Sequence, residues 1–306
     1  MRIGIIGTGA MGSVYAGLLA DAGHDVWAVD LWEDHIAAIR RAGLRVSGAS
    51  GDRIARLNAT TDAAEAGPVD MVVIATKADG VEAAARSALP ILTPDTVVVT
   101  IQNGLGSADR VAAIVGADRL IVGVVGGFGA SLPGPGHVHH NGWEFLYLGA
   151  SGEAAADKVA PTAELWRSGG FSVKEHADIA SMVWEKFICN VTFSGTCTLT
   201  GMTIGEVMAN EGAWSVATAC AAEALAVARA RNITLPITDV EPFVRAFGSR
   251  IPNARPSMLL DHLAGRRSEI DVINGAVPRV AAESGLAAPV NATVSALVRA
   301  RESAFD

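Results

Sequence analysis

The sequence has no apolar run of membrane-spanning length, no surplus of basic residues and no even set of cysteines, and each absence excludes a class of protein. Without a run of about 18 to 20 apolar residues there is no transmembrane helix. With 24 Lys and Arg against 32 Asp and Glu, the net charge of -8 argues against nonspecific binding to nucleic acid, and no basic patch stands out. Three cysteines, Cys189, Cys197 and Cys220, form neither pairs nor a CxxC motif, so reduced core thiols are expected rather than a disulfide framework. The first residues enter a strand-like run with no charged leader before it, and a cytoplasmic location is the expectation. What remains is 306 residues, half of them hydrophobic and 18% charged, enough for two domains and a sizeable core.

The most informative stretch is the first thirty residues. An apolar run, Ile3 to Ile6, enters the turn Gly7-Thr8-Gly9-Ala10-Met11-Gly12; a helix-length segment then leads to a second apolar run, Val26 to Val29, and Asp30. In this pattern the first glycine permits the tight turn, the second lets a pyrophosphate approach the backbone, and the third lets the helix pack on the strand. The helix N-terminus offers N–H groups and partial positive charge to the phosphates. A GxGxxG alone is weak evidence. Followed by a helix, a strand and a terminal acid, it predicts dinucleotide binding by residues 7–12 and Asp30.

Further on, the unbroken apolar run Asp70 to Thr76 predicts a parallel strand covered on both faces, with Lys77 at its carboxyl end. The strand Thr96 to Ile101 leads to the turn Gln102-Asn103-Gly104-Leu105-Gly106. Ligands of open parallel sheets bind beyond the carboxyl ends of the strands, so the glycine turn, Asp30, Lys77 and Asn103 are expected to border one crevice. After a strand at Leu120 to Val125, the stretches His137 to His140 and Glu144 to Leu148 predict a hairpin on the sheet. His137, His139 and His140 have no acid or cysteine at ligand spacing, and no metal site is expected there. A strand at Phe171 to Lys174 closes the first domain, and only helical segments follow; the expected division is 1–174 and 175–306.

The first of those helices, Ala180 to Leu199, is apolar or small around its circumference, yet Lys186, Asn190 and Ser194 recur every four residues and share one face. A lysine on such a helix either reaches the surface or a structural carboxylate, or lines a polar active-site cleft. Later segments carry a capping box at Thr203 and Glu206, a helix start at Pro256-Ser257, and a helix opening at Ser268-Glu269 that Pro278 is expected to kink.

Taken together, GTGAMG, Lys77, IQNGLG, PGPGHVHHNG, WEKFICN and RPSMLLDHLAGRRSEIDVINGAV resemble the ketopantoate reductases (2-dehydropantoate 2-reductases) over nearly the whole chain. The resemblance implies an α/β fold: an N-terminal Rossmann domain, a doubly wound parallel sheet, followed by an all-helical domain for substrate and dimerisation. It implies reduction of a 2-keto acid by hydride from NAD(H) or NADP(H). Lys186 would be the general acid and Glu269 would bond the substrate hydroxyl. Asn190, Ser194 and Ser257 would hold the substrate, with Asn103 and Lys77 placed at nicotinamide and substrate. No membrane or nucleic-acid partner is implied, and a homodimer is.

Two residues depart from the family pattern. Ser194 stands where many members have a second asparagine, which leaves more room for the substrate. Asp30 suits a free ribose diol and repels a 2′-phosphate by about 1 to 4 kcal/mol at 4 Å, depending on the dielectric, so NADH is expected over NADPH. The alternatives are an NAD-dependent D-2-hydroxyacid dehydrogenase for another branched or aromatic 2-keto acid, and, in another class, an NAD(H)-binding regulatory protein.

Overall fold

The computed structural model describes residues 1–127, 129–142 and 145–305, which divide into two compact units. The first holds residues 1–102 and 106–179; the second holds 180–306 together with the tripeptide Asn103–Leu105. The boundary thus falls five residues beyond the expected 174, and a piece of the first unit's chain belongs to the second.

In the first unit the main strands are β1 (Arg2–Ile6), β2 (Asp25–Val29), β3 (Leu44–Gly48), β4 (Arg53–Ala55), β5 (Asn58–Thr60), β6 (Met71–Ile74), β7 (Val97–Thr100), β8 (Leu120–Gly126), β9 (Gly129–Gly134), β10 (His137–Gly142), β11 (Phe145–Ala150) and β12 (Val173–Glu175). Eight form one sheet in the order β12-β11-β8-β7-β6-β1-β2-β5. From β5 to β8 every pairing is parallel, and the chain reverses direction of travel between β1 and β6. This is the doubly wound order whose switch point receives ligands. Ile3, Ile5, Val72, Val73 and Val98 are fully buried, as expected for central strands covered on both faces. The helices α1 (Ala10–Asp21), α2 (Glu33–Ala42), α3 (Val81–Ala88), α4 (Ser107–Val115) and α5 (Val159–Ser168) supply that cover. Tyr15 of α1 meets Trp166 and Phe171 edge-on, at centroid separations of 5.0 and 5.9 Å.

The expected hairpin of His137–His140 with Glu144–Leu148 does not form. β10 pairs with β9 and β3 in a separate four-stranded sheet, β4-β3-β10-β9, while β11 joins the main sheet antiparallel to β8; Glu144 itself lies outside the described residues. Alternating polarity identifies a strand but not its partner, and the turn at Pro135-Gly136 makes the hairpin one strand earlier. The histidines there bond to Ser47 on β3: its hydroxyl lies 2.9 Å from His137 Nε2 and 3.1 Å from His139 Nδ1.

The second unit is helical among its described residues: α6 (Ile179–Thr200), α7 (Ile204–Ala209), α8 (Glu211–Ala230), α9 (Val240–Arg250), α10 (Ser257–Leu263), α11 (Ala276–Glu283) and α12 (Pro289–Glu302), with the first residue of α6 in the other unit. α6 is the core helix, with Phe187, Ile188, Val191, Phe193 and Cys197 at most 1% exposed. Thr203 and Glu206 make the capping box of α7. The segment from Ser268 forms a run of turns rather than a helix, and α11 begins only at Ala276. Pro278 therefore sits in a first helical turn, where its missing N–H disrupts nothing, and produces no kink. Among the described residues no helix is long and apolar enough to cross a membrane.

Candidate active site

The glycine turn follows β1 at the switch point. Gly7 has φ +90, and a Cβ there would stand 2.6 Å from the Thr76 backbone nitrogen; at Gly12 it would stand 2.1 Å from the Gly7 carbonyl oxygen. These two are glycine because the fold leaves no space. Gly9 is different: a Cβ would meet nothing within 4 Å. It caps α1, whose first turn has no acidic side chain, so the space beside Gly9, Ala10 and Met11 opens onto a helix N-terminus suited to an anion. Thr8 is fully buried and shapes the turn from inside: its carbonyl accepts the Ser13 hydroxyl at 2.7 Å.

Ser13 in turn lies 3.2 Å from Nε2 of His35, and the Gly136 N–H donates to His35 Nδ1 at 3.0 Å. A backbone N–H can only donate, so Nδ1 must be bare and Nε2 carries the proton. His35 is fully buried, and burial lowers its pKa although Asp30 opposes the shift. A neutral histidine thus ties α2 to the glycine turn. Nothing local in the sequence marks this link, since its groups lie 22 and 101 residues apart.

Asp30 follows β2, and its Oδ1 accepts the Trp32 N–H at 3.0 Å. Lys77 is exposed just beyond β6, next to the Thr76 on which Gly7 packs. Gln102 closes this end of the sheet: Nε2 donates to the carbonyls of Ile74 and Thr76, at 2.7 and 3.1 Å, while Oε1 accepts the Thr100 hydroxyl and the Ile101 N–H.

The second unit assembles the other group of residues. Lys186 Nζ donates to Asn103 Oδ1 at 2.8 Å. Asn103 is held in turn by its own tripeptide: Gly104, at φ +79, packs so closely on the Val272 carbonyl that a Cβ would stand 2.1 Å from its oxygen, and the Leu105 N–H donates to that oxygen at 3.0 Å. Val272 belongs to the turn that carries Glu269. Two short contacts, Lys186 to Asn103 and Leu105 to Val272, therefore tie together the three segments that carry Asn103, Lys186 and Glu269. Burial pulls the half-buried Lys186 ammonium down from 10.5 to about 8, against the upward pull of the Glu269 carboxylate. An amine poised near 8 is charged at neutral pH yet gives up its proton readily. Asn190 lies one turn along the same face of α6 and is half-buried, while Ser194 is 4% exposed. Ser257 is exposed at the start of α10.

Residues 3–153 match the ketopantoate reductase PanE/ApbA family, and residues 178–302 match the C-terminal domain of the same family. The chain belongs to the ketopantoate reductase family. A 2-dehydropantoate 2-reductase of Pyrococcus horikoshii is 31% identical over 99% of this chain and 98% of its own length, and one of Halobacterium salinarum is 31% identical over 98% of each. Among solved structures, a PanE/ApbA family ketopantoate reductase from Ralstonia eutropha superposes with a TM-score of 0.91 at 30% identity, covering 100% of this chain and 99% of that one. A D-mandelate dehydrogenase, in a ternary structure with NADH and anilino(oxo)acetate, gives a TM-score of 0.91 at 27% identity with the same coverage. The fold is accordingly the family's Rossmann domain followed by a helical domain, and the chain is a 2-dehydropantoate 2-reductase-like dehydrogenase. Family membership sets aside the regulatory alternative left open by the sequence.

Proposed function

We propose that this enzyme reduces a branched 2-keto acid, 2-dehydropantoate in the first instance, to the 2-hydroxy acid, with Lys186 as the proton donor. The observation that carries this reading is the Lys186 ammonium, bonded to Asn103 at 2.8 Å and held near a pKa of 8. A reduced nicotinamide supplies the hydride. Residues 7–12 fit its pyrophosphate, because Gly9 leaves space beside a helix N-terminus where Gly7 and Gly12 leave none. As the keto oxygen gains charge, Lys186 Nζ–H stabilises it and then passes its proton to it, a step worth about 10² to 10⁴ in rate. Glu269 pulls the Lys186 pKa upward against burial and accepts the product hydroxyl. Asn103 aims the ammonium; Asn190 and Ser257 hold the substrate carboxylate and side chain, with Ser194 behind them; Lys77 serves the cofactor.

Asp30 favours NADH. Its Oδ1 is taken by the Trp32 N–H, and Oδ2 has no bond among the described residues, which suits a ribose diol. The nearest basic side chain on α2, Arg40, is bonded to the Ala59 carbonyl at 2.6 Å and to Glu65 at 3.2 Å, and so is not placed to receive a 2′-phosphate. Asp30 and Ser194 together also support a second reading, an NAD-dependent D-2-hydroxyacid dehydrogenase for a bulkier 2-keto acid; the D-mandelate dehydrogenase bound to NADH supports the same reading.

The test is consumption of NADH and of NADPH with 2-dehydropantoate beside a panel of branched and aromatic 2-keto acids. The reading expects 2-dehydropantoate to give the highest kcat/KM. A strong preference for an aromatic keto acid establishes the second reading, and no turnover with any of them refutes both. Lys186→Ala is expected to bind NADH normally while losing most turnover.

A further inference from the structure

The turn that carries Glu269 is not a helix: backbone bonds such as Val272 N–H to the Glu269 carbonyl close it, Leu105 holds it at Val272, and the residue before Glu269 is held from the end of the chain. Glu302, in the last turn of α12, is 7% exposed. Its Oε1 accepts three hydrogen bonds: from the Ser268 N–H at 2.7 Å, from the Ser268 hydroxyl at 2.6 Å, and from His262 Nε2 at 3.0 Å. Three residues earlier on α12, Arg299 Nε donates to Asp271 Oδ1 at 2.7 Å. Residues three apart share a helix face. One face of the last turn of α12 thus grips Ser268, just before Glu269, and Asp271, two residues after it.

The two grips differ in strength. Arg299 and Asp271 are 50% and 73% exposed, and an exposed pair of this kind holds little. Glu302 and His262 are buried, and short bonds to a buried carboxylate are strong. Burial pushes the Glu302 carboxyl upward, but the Ser268 and His262 bonds more than offset this and keep it below the usual range, hence ionised. Among neighbouring charges, Asp261 is bonded by Arg266 at 3.0 Å, Arg301 donates to the Thr198 carbonyl, and Arg267 stands next to Ser268 in the chain.

We propose that Glu302 is a positioning residue for catalysis: through Ser268 it sets where Glu269 stands relative to Lys186. This rests on the Lys186 and Glu269 roles given above. Nothing in the motif around Glu269 points to a residue 33 positions later, and Glu302 itself touches neither substrate nor cofactor in that reading.

The experiment compares Glu302→Ala, Glu302→Gln, Ser268→Ala and Glu269→Gln in the full-length protein. Three quantities are followed: kcat and KM, the pH dependence of kcat/KM, and the titration of the Lys186 amine by NMR of its ε-methylene group. Glu302→Ala is expected to lower kcat about ten- to hundredfold, the penalty of a misplacement near 1 Å, without raising the KM for NADH. With Glu269 displaced, the Lys186 titration and the alkaline limb both move to lower pH by about half a unit, as in Glu269→Gln. Glu302→Gln keeps an oxygen that can accept both Ser268 bonds and is expected to restore wild-type behaviour. Ser268→Ala loses one bond, remains folded and shifts the titration in the same direction by less. An unshifted Lys186 titration in folded Glu302→Ala or Ser268→Ala overturns the proposal, and so does a Glu302→Gln variant as impaired as Glu302→Ala. If the wild type reduces no 2-keto acid, the functional reading fails separately, and the Lys186 titration still decides whether Glu302 positions Glu269.

Discussion

Replacing Lys186 by methionine should make the protein more stable while removing its activity. The ammonium is drawn from 10.5 to about 8 mainly by burial. At 1.36 kcal/mol per unit, the charged form is held at a cost of about 3 kcal/mol relative to the unfolded chain. Methionine keeps most of the stem volume and carries no charge. It also leaves Asn103 Oδ1 without its donor, at a cost of about 1 kcal/mol or more, so the net gain at pH 7 is about 1 to 2 kcal/mol. In melting temperature this is roughly 2 to 8 °C. The size of this gain depends on pH, and once the desolvation cost has gone only the unpaired Asn103 acceptor is left, so the sign reverses near the top of the range. Between pH 8 and about 10.4 the unfolded amine still holds its proton while the folded one has released it, so wild-type stability rises with pH across that window. The gap between variant and wild type is therefore full below pH 8 and closes towards pH 10.5. Thermal unfolding followed by circular dichroism from pH 6 to 10.5 measures both. A variant less stable than wild type at pH 7, or a gap that does not change with pH, refutes the account of Lys186 as a buried amine held against desolvation.

The same pKa predicts opposite pH profiles for the two directions of the reaction: keto acid reduction is flat below pH 8 and falls about tenfold per unit above it, whereas hydroxy acid oxidation rises towards pH 8, as steady-state rates will show. Gly9→Ala should leave the melting temperature unchanged and weaken NADH binding, since its methyl group would enter the open space beside the α1 N-terminus proposed for the pyrophosphate; Gly12→Ala should destabilise the fold itself, and calorimetric titration beside thermal melts separates the two. Asp30→Ala should raise the ratio of kcat/KM for NADPH over NADH about tenfold or more by removing the repulsion, and an unchanged ratio shows that Asp30 does not face the ribose. Because burial holds His35 neutral, its contribution is complete above pH 6.5 and lost as pH falls below; NADH affinity should weaken in that range, and His35→Gln should abolish this pH dependence.

What could be read from the sequence was whatever repeats at short range. The glycine turn shows because its spacing encodes backbone clearance, and the Lys186-Asn190 face shows because the helical period brings residues four apart together. Strand partners did not show: His137–His140 has the alternation of a strand, but the choice of β9 and β3 depends on neighbours up to 92 residues away. The turns at 269–275 read as helix for a related reason. Their composition permits a helix, and they are held otherwise by distant groups, with Ser268 on Glu302 and the Asn274 amide bonded to the Val191 carbonyl and Asn291. Gly104 was visible as part of a turn, but its function in fixing Asn103 depends on contact with Val272, 168 residues on in the numbering and absent from any local pattern.

The tripeptide Asn103–Leu105 has a consequence for dissecting the enzyme. Because those residues belong with the helices, a fragment of residues 180–306 would contain Lys186 without the Asn103 oxygen it bonds, and a fragment of 1–179 would carry that oxygen without its donor. Neither half is a self-contained module. A chimera that moves the helical half onto a different nucleotide-binding half inherits a working lysine only if the recipient also supplies the Asn-Gly-Leu insert, so shuffling at the obvious junction near residue 179 should yield folded but inactive proteins.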